Sequence, residues 1–314
     1  MHVAVTGGTG FIGRYVVAAL AAAGHTVTVI ARHAVEVPGA ARVVPGDVAA
    51  REIATALAGA EAIVHLAALA DASLSLADPV GYMAVNAVGT LNVLEAARLC
   101  GAGVVFASSQ RVYTPWHGPL REEGPTEPTT VYGWSKLAAE GWATMYHRLY
   151  GVPTIALRAF TVYGPGQRAG GGASGVLPIF AERTLRGEPL AVHQRHLRDF
   201  VAATDAAAAF VRAVERLGDP QVRGRAYNVG SGVGTALDDL ARLIQARSGV
   251  ADPPPIVVRD RASPERPPER TEEVYADLGR VRDELGWSPT VPLDEGLDEY
   301  LAWLRQELAR EGAR

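Results

Sequence analysis

The sequence predicts an α/β protein: a doubly wound parallel sheet with a smaller C-terminal lobe. Three observations carry that expectation. Short, wholly apolar runs alternate with helical patterns through the first half of the chain. The first run leads straight into a glycine-rich turn, Gly7-Gly8-Thr9-Gly10-Phe11-Ile12-Gly13, and then a helix. After Arg158 the alternation stops and loop-rich sequence begins. Runs apolar at every position suit strands covered by helices on both faces. Strand then helix, repeated, gives a parallel sheet with right-handed crossovers.

The elements follow in order. Strands are expected at His2–Thr6, Thr26–Ala31, Ala62–Leu66, Val104–Ala107 and Thr154–Arg158, all rich in Val, Ile and Ala. Helices are expected at Gly10–Ala23, Pro79–Leu99 and Thr130–Tyr150, where apolar residues recur with helical spacing. Thr161–Gly175 is rich in Gly and holds Pro165, so it reads as a long loop. Thr235–Ser248 and Glu295–Arg310 read as C-terminal helices. Asp252–Arg270 is rich in Pro and Arg, and reads either as a surface linker or as a segment contacting a ligand.

Composition bounds the function. The 314 residues are 48% hydrophobic and 20% charged, which suits a folded chain with a sizeable core. The net charge of −4 argues against a general nucleic-acid binder. Cys100 is the only cysteine, so no intrachain disulfide can form; near a helix end, it reads as a packing residue. The first residues already read as a strand, and no signal peptide is expected. Apolar stretches such as Val16–Ala23 are too short to span a bilayer. A cytoplasmic protein without membrane, nucleic-acid or metal partners is expected.

The glycine turn carries the first chemistry. Glycines at 7, 10 and 13 let the backbone approach a pyrophosphate closely. The following helix offers its unpaired N–H groups and positive dipole end to that anion. Strand, glycine turn and helix inside a βαβ pattern point to a dinucleotide site. An NAD site usually carries an acid at the end of the second strand. Here that place reads Ala31-Arg32-His33. Arg32, assisted by His33, suits a 2′-phosphate, so NADP is favoured over NAD; the alternative is an exposed Arg32 stacked on adenine. Asp47, with Val48 beside it, is expected at the adenine end or, alternatively, as a loop cap.

A second constellation lies downstream. Tyr132 and Lys136 are four apart, on one face of a helix. An ammonium beside a phenol is expected to lower its pKa and make Tyr132 a usable acid or base. The strand ending in Ser108-Ser109 faces the same crevice, where a hydroxyl can hold a reacting alcohol or carbonyl oxygen.

Together these residues resemble the extended short-chain dehydrogenases/reductases, the family of nucleotide-sugar epimerases, dehydratases and ketoreductases. The likeness covers nearly the whole chain: Thr6 to Gly13, His65-Leu66-Ala67-Ala68, Asn86 to Ala97, Ser108 to Tyr113, Tyr132 to Lys136, Arg158 to Arg168 and Arg198 to Val201. The resemblance implies that Leu66, Ala67 and Ala68 lie under the dinucleotide. It implies that Ser109, with Ser108 beside it, orients the substrate. Thr161, Arg198 and Arg266 would contact a nucleoside-diphosphate sugar, with Arg270 competing for the last place. It also implies a Rossmann domain over 1–163 with a later contribution from about 201–230, a substrate lobe mainly over 164–314, and a homodimer formed through the helices at 79–99 and 130–150.

Departures from the family's pattern narrow the reaction. The dehydratases carry Asp-Glu after the active-site Ser/Thr, but here Gln110 and Arg111, or the serines, stand there, which disfavours 4,6-dehydration. Thr161 stands where Asn is usual. Four basic or potentially basic residues, His193, Arg195, His196 and Arg198, lie within six positions and suit a diphosphate, or else decorate an exposed hairpin. A 4-ketoreductase using NADPH is the leading expectation, from the missing acid and Arg32. A 4-epimerase with tightly bound NAD is the alternative. A cofactor-sensing regulator without catalysis is the alternative of another class, and the Ser109, Tyr132 and Lys136 set argues against it.

Overall fold

Successive residues of a strand point to opposite faces, so an all-apolar strand is stable only where both faces are covered. This chain meets that condition at the centre of its fold. The computed structural model describes residues 1–33, 35–114, 118–170, 175–193, 196–259 and 273–312. Its strands are β1 (His2–Thr6), β2 (Thr26–Ala31), β3 (Arg42–Pro45), β4 (Ala62–His65), β5 (Gly103–Ser109), β6 (Pro119–Leu120), β7 (Thr154–Ala159), β8 (Thr161–Tyr163), β9 (Leu190–His193), β10 (Leu197–Ala202), β11 (Arg225–Val229), β12 (Gly234–Ala236), β13 (Ile256–Arg259) and β14 (Glu273–Ala276). Its helices are α1 (Phe11–Ala22), α2 (Ile53–Leu57), α3 (Pro79–Tyr82), α4 (Gly89–Cys100), α5 (Val131–Tyr150), α6 (Val176–Arg186), α7 (Ala203–Arg216), α8 (Leu237–Arg247) and α9 (Leu293–Gly312).

Seven strands form one sheet in the order β3-β2-β1-β4-β5-β7-β11, each pair parallel. Val3, Val5, Val29, Val64 and Leu157 face one core, which α1 and α7 cover with Val16, Leu20, Phe210 and Val214. Ala4, Ile30, Ile63, Val104 and Phe106 face the other, covered by Ile53 of α2, Leu94 of α4 and Ala139 of α5. The strand order reverses between β1 and β4. In such sheets the crevice at the carboxyl ends of those strands is the ligand site.

Several elements differ from expectation: Thr161–Tyr163, expected within a long loop, forms β8, and Ile256–Arg259, expected within a linker or ligand segment, forms β13. β5 runs through Ser109, two residues past Ala107. The stretch expected as one helix over 79–99 is α3, a π-helical segment at Met83–Val88, and α4. A π-turn accommodates an extra residue and is often found at functional sites.

The remaining strands build a smaller lobe. β12, β10, β14 and β6 form a second sheet, and β8 pairs with β10. Its core is Tyr163, Phe180, Phe200, Leu240, Leu297 and Tyr300, drawn from the two sheets' junction and from α6, α8 and α9. Asp199 anchors the lobe to the turn after β11. Fully buried, its carboxylate accepts hydrogen bonds from the N–H groups of Ser231 (2.6 Å), Gly232 (3.0 Å) and Ala276 (3.0 Å) and from the Ser231 hydroxyl (2.7 Å). Burial raises its pKa, and those donors act the other way. Among the described residues, no helix is long and apolar enough to cross a membrane.

Candidate active site

The glycine turn is shaped by close contacts. Gly7 has φ +73°, and a Cβ there would lie 2.6 Å from the Ala67 nitrogen. A Cβ on Gly13 would lie 2.1 Å from the Gly7 carbonyl oxygen, so α1 rests directly on the turn. Gly10 is the N-cap of α1; no side chain caps that end, and no acid stands in its first turn. Its N–H groups are therefore free to receive an anion. The cradle fits a dinucleotide pyrophosphate, and side chains at 7 or 13 would push against the backbone that shapes it.

Beneath the cradle a buried histidine holds the end of β4. The Thr6 hydroxyl lies 2.7 Å from His65 Nδ1, and His65 Nε2 lies 3.0 Å from the Thr90 hydroxyl, which donates to the Asn86 carbonyl (2.6 Å). That chain is satisfied by a neutral imidazole. Burial and the Lys136 charge push the His65 pKa down to about 3. Leu66, Ala67 and Ala68 follow, partly buried, and the Ala67 N–H donates to Thr6 Oγ1 (3.3 Å). Phe11 and Ile12 open α1 and pack on the core. Arg32 and His33 stand exposed after β2. Asp47 is exposed and accepts from the Ala49 N–H (2.9 Å), capping its own loop, while Val48 is buried against α4.

The first turns of α5 carry the second constellation. The Thr130 hydroxyl caps the helix by accepting from the Gly133 N–H (3.1 Å). Lys136 is buried; its Nζ donates to the Ala107 carbonyl (2.9 Å) and sits 5.9 Å from the centre of the Tyr132 ring. Desolvation lowers its pKa to about 8. Tyr132, partly buried, has its phenol pKa raised above 10 by desolvation, while a hydrogen bond with Ser109 and the charge of Arg111 act downward. This corrects the expectation of a phenol pKa lowered by lysine. The ammonium addresses the ring face and a carbonyl rather than the phenol oxygen, and burial outweighs the nearby charges.

Ser108 and Ser109 part company because consecutive strand residues point oppositely. Ser109 lies with Tyr132 and accepts from the Arg111 N–H (3.2 Å). Ser108 instead donates to Glu140 Oε1 (2.5 Å), inside a buried ion pair. Arg158 grips that carboxylate through Nε (2.8 Å) and Nη2 (2.7 Å), and stacks 4.7 Å from the Tyr113 ring centre. Ser108 is therefore structural, against expectation. Asn86, in the π-helical segment, clasps the loop after β4 through the Leu69 N–H (2.8 Å) and carbonyl (3.0 Å), and donates to Ser135 Oγ of α5 (3.0 Å).

A cleft opens beside this group, with Gln110, Arg111, Tyr113, Thr129, Arg198 and Val274 on its walls. It brings Arg198 of β10 to the turn after Ser109. Thr161 is partly buried on β8, opposite Phe200. His196 is buried in the lobe. Arg195, Arg266, Arg270 and the His193 side chain lie outside the described residues. Cys100 is unpaired and partly buried at the end of α4.

Sequence reasoning missed Glu140, whose partner Arg158 is distant in sequence, and the clasp made by Asn86. It also missed a signal open to counting: Lys136 is the only lysine in the chain, beside 29 arginines.

Residues 3–230 match the model of the NAD dependent epimerase/dehydratase family. The chain belongs to this family. It is 34% identical to a UDP-glucose 4-epimerase of Mycolicibacterium smegmatis, over 98% of this chain and 99% of that protein. A family member from Thermotoga maritima, a UDP-glucose 4-epimerase solved with UDP-glucose, superposes with a TM-score of 0.86 at 29% identity, covering 98% of this chain and all of that one. MoeE5, solved with UDP-glucuronic acid and NAD, gives 0.85 at 29% identity, with 98% of this chain and all of that one covered. This NAD dependent epimerase/dehydratase is therefore an enzyme, and NAD rather than NADP stands in the family's description and in the MoeE5 complex.

Proposed function

We propose that the protein is a nucleoside-diphosphate-sugar 4-epimerase that retains NAD. The observation that carries this reading is Tyr132, Ser109 and Lys136 gathered at the end of β5, next to the Gln110–Val112 turn that lines a cleft together with Arg198. The relatives named 4-epimerases support the reaction, and UDP-glucose in the Thermotoga maritima complex and UDP-glucuronic acid in the MoeE5 complex support the substrate class.

Gly7, Gly10, Phe11, Ile12 and Gly13 would hold the pyrophosphate, Leu66 to Ala68 would lie under the dinucleotide, and Arg32, His33, Asp47 and Val48 would surround its adenosine end. Bound NAD supplies the acceptor and donor of a hydride. Tyr132 takes the proton of the sugar's 4-hydroxyl and returns it to the oxygen after the ring has turned. Ser109 holds that oxygen, and Arg111 favours the phenolate form of Tyr132. Lys136 supports Tyr132 from the buried side. Arg198 grips the diphosphate, and the family resemblance assigns Thr161 and Arg266 to the sugar nucleotide as well. In this assignment residues 1–163 and about 201–230 serve the cofactor, and the rest of 164–314 mainly serves the sugar nucleotide.

The protein works as a homodimer in this reading. Trp134, Trp142 and Leu149 recur at eight- and seven-residue spacing along α5 and stand exposed, as do Val88 and Leu99 on the adjoining helical stretch. A second copy would cover that face.

One observation favours a 4-ketoreductase using NADPH instead: β2 ends on exposed Arg32 and His33, with no acid there. Mass spectrometry of small molecules released from the purified protein separates the two. Copurifying NAD, with UDP-glucose converted to UDP-galactose and conversion cut about 100-fold or more in Tyr132→Phe, is expected. An empty site that fills with NADPH would favour the reductase. Conversion unaffected by Tyr132→Phe would remove the reading altogether.

A further inference from the structure

The turn after β5 holds a guanidinium that no carboxylate among the described residues neutralises. Gln110–Val112 forms a short 3₁₀ turn, and the Arg111 carbonyl lies only 2.3 Å from where a Cβ on Gly133 would stand. The turn is therefore seated on the first turn of α5, next to Tyr132. The Arg111 side chain is exposed in the cleft and, among the described residues, has no carboxylate partner. Other arginines among the described residues are paired: Arg158 with Glu140, Arg168 with Glu182 and Glu311, Arg225 with Glu284. Beside it the Gln110 Oε1 atom is buried with no hydrogen-bond partner among the described residues. With a cation and an acceptor that are unpaired among the described residues, this cleft wall suits a ligand carrying an anion and a donor group.

The proposed function sets where that anion belongs, and the inference rests on it. With the 4-hydroxyl at Tyr132 and the diphosphate at Arg198, Arg111 stands at the reacting end of the cleft. The neighbours of C4 are C3 and C5. A carboxylate beside the reacting centre is one borne on C5, as in a uronic acid. We infer that Arg111 is a specificity-determining residue that pairs with the C6 carboxylate of a nucleoside-diphosphate uronic acid, with Gln110 accepting from a neighbouring hydroxyl.

The test compares UDP-glucuronate with UDP-glucose on the NAD-loaded enzyme, in the wild type, Arg111→Gln and Arg111→Lys. Removing Arg111 also removes a charge acting on Tyr132, so both substrates suffer; the ratio of their kcat/KM values isolates the carboxylate. That ratio is expected to favour UDP-glucuronate in the wild type and to fall about 10- to 100-fold in Arg111→Gln, mainly through KM, with part restored in Arg111→Lys. An unchanged ratio would overturn the inference. So would an equal loss of affinity for UDP alone in calorimetry, which would place Arg111 on the diphosphate. If the wild type turned over neither substrate, the epimerase reading would fail, and calorimetric affinities for the two sugar nucleotides would still decide the role of Arg111.

Discussion

Lys136 offers a clean test because no other lysine exists to obscure it. Its pKa is expected to fall from 10.5 to about 8 because burial penalises the ammonium. The consequence for stability follows by linkage. Below pH 8 the group is protonated in both folded and unfolded chains, and the native state carries the full desolvation cost. Between about 8 and 10.5 the unfolded chain binds a proton that the native state has released, so stability rises with pH. The gain across that window is roughly 3 kcal/mol. Protein grown on lysine labelled at Cε shows one side-chain NMR signal, whose shift should titrate near pH 8 without cofactor. Urea unfolding of the wild type should become harder across the same window, relative to Lys136→Met. A midpoint at 10 or above, or identical pH dependence in the two proteins, would refute the placement of this ammonium in a desolvated site.

Two further outcomes follow from the packing. Gly13→Ala forces a methyl to within 2.1 Å of the Gly7 carbonyl and should abolish NAD binding in calorimetry, whereas Gly10→Ala, with 3.3 Å available, should leave the melting temperature within a few degrees of wild type. Glu140→Ala strips a buried guanidinium of its carboxylate and should destabilise the fold by about 3–5 kcal/mol in urea; Glu140→Leu combined with Arg158→Met should cost less than the sum of the two single changes.

Much of the cofactor half was legible because its signals are local. The glycine spacing, the continuous apolar strands and the Tyr132–Lys136 spacing each lie within a few residues. What stayed hidden depends on pairings distant in sequence. β3 is only Arg42–Pro45, too short and too interrupted by Pro45 to stand out before β2 is there to pair with it. α7 is alanine-rich, and its helical character becomes decisive only where Ala206, Ala209 and Ala213 meet the sheet. The roles of Ser108 and Ser109 could not be divided until the last residue of β5 was known, since a shift of one residue exchanges their faces. The direction of the Tyr132 pKa depends on burial, which no spacing rule reports.

The arrangement also explains why the reaction type is easier to read than the substrate. Three clasps hold α5: Asn86 to Ser135, the Ala107 carbonyl to Lys136, and Ser108 with Arg158 to Glu140. Their α5 partners, residues 135, 136 and 140, lie on the side of the helix turned toward β5, β7 and the π-helical segment. The phenol is thus positioned by rigid, buried elements, as an acid–base group must be. The cleft's far wall is different in kind. Arg198 and Val274 belong to the lobe, whose sheet can change its side chains without disturbing the clasps. Chemistry that is fixed by the buried half and selectivity that is fixed by the exposed half can therefore vary separately, and Arg111 stands where the two meet.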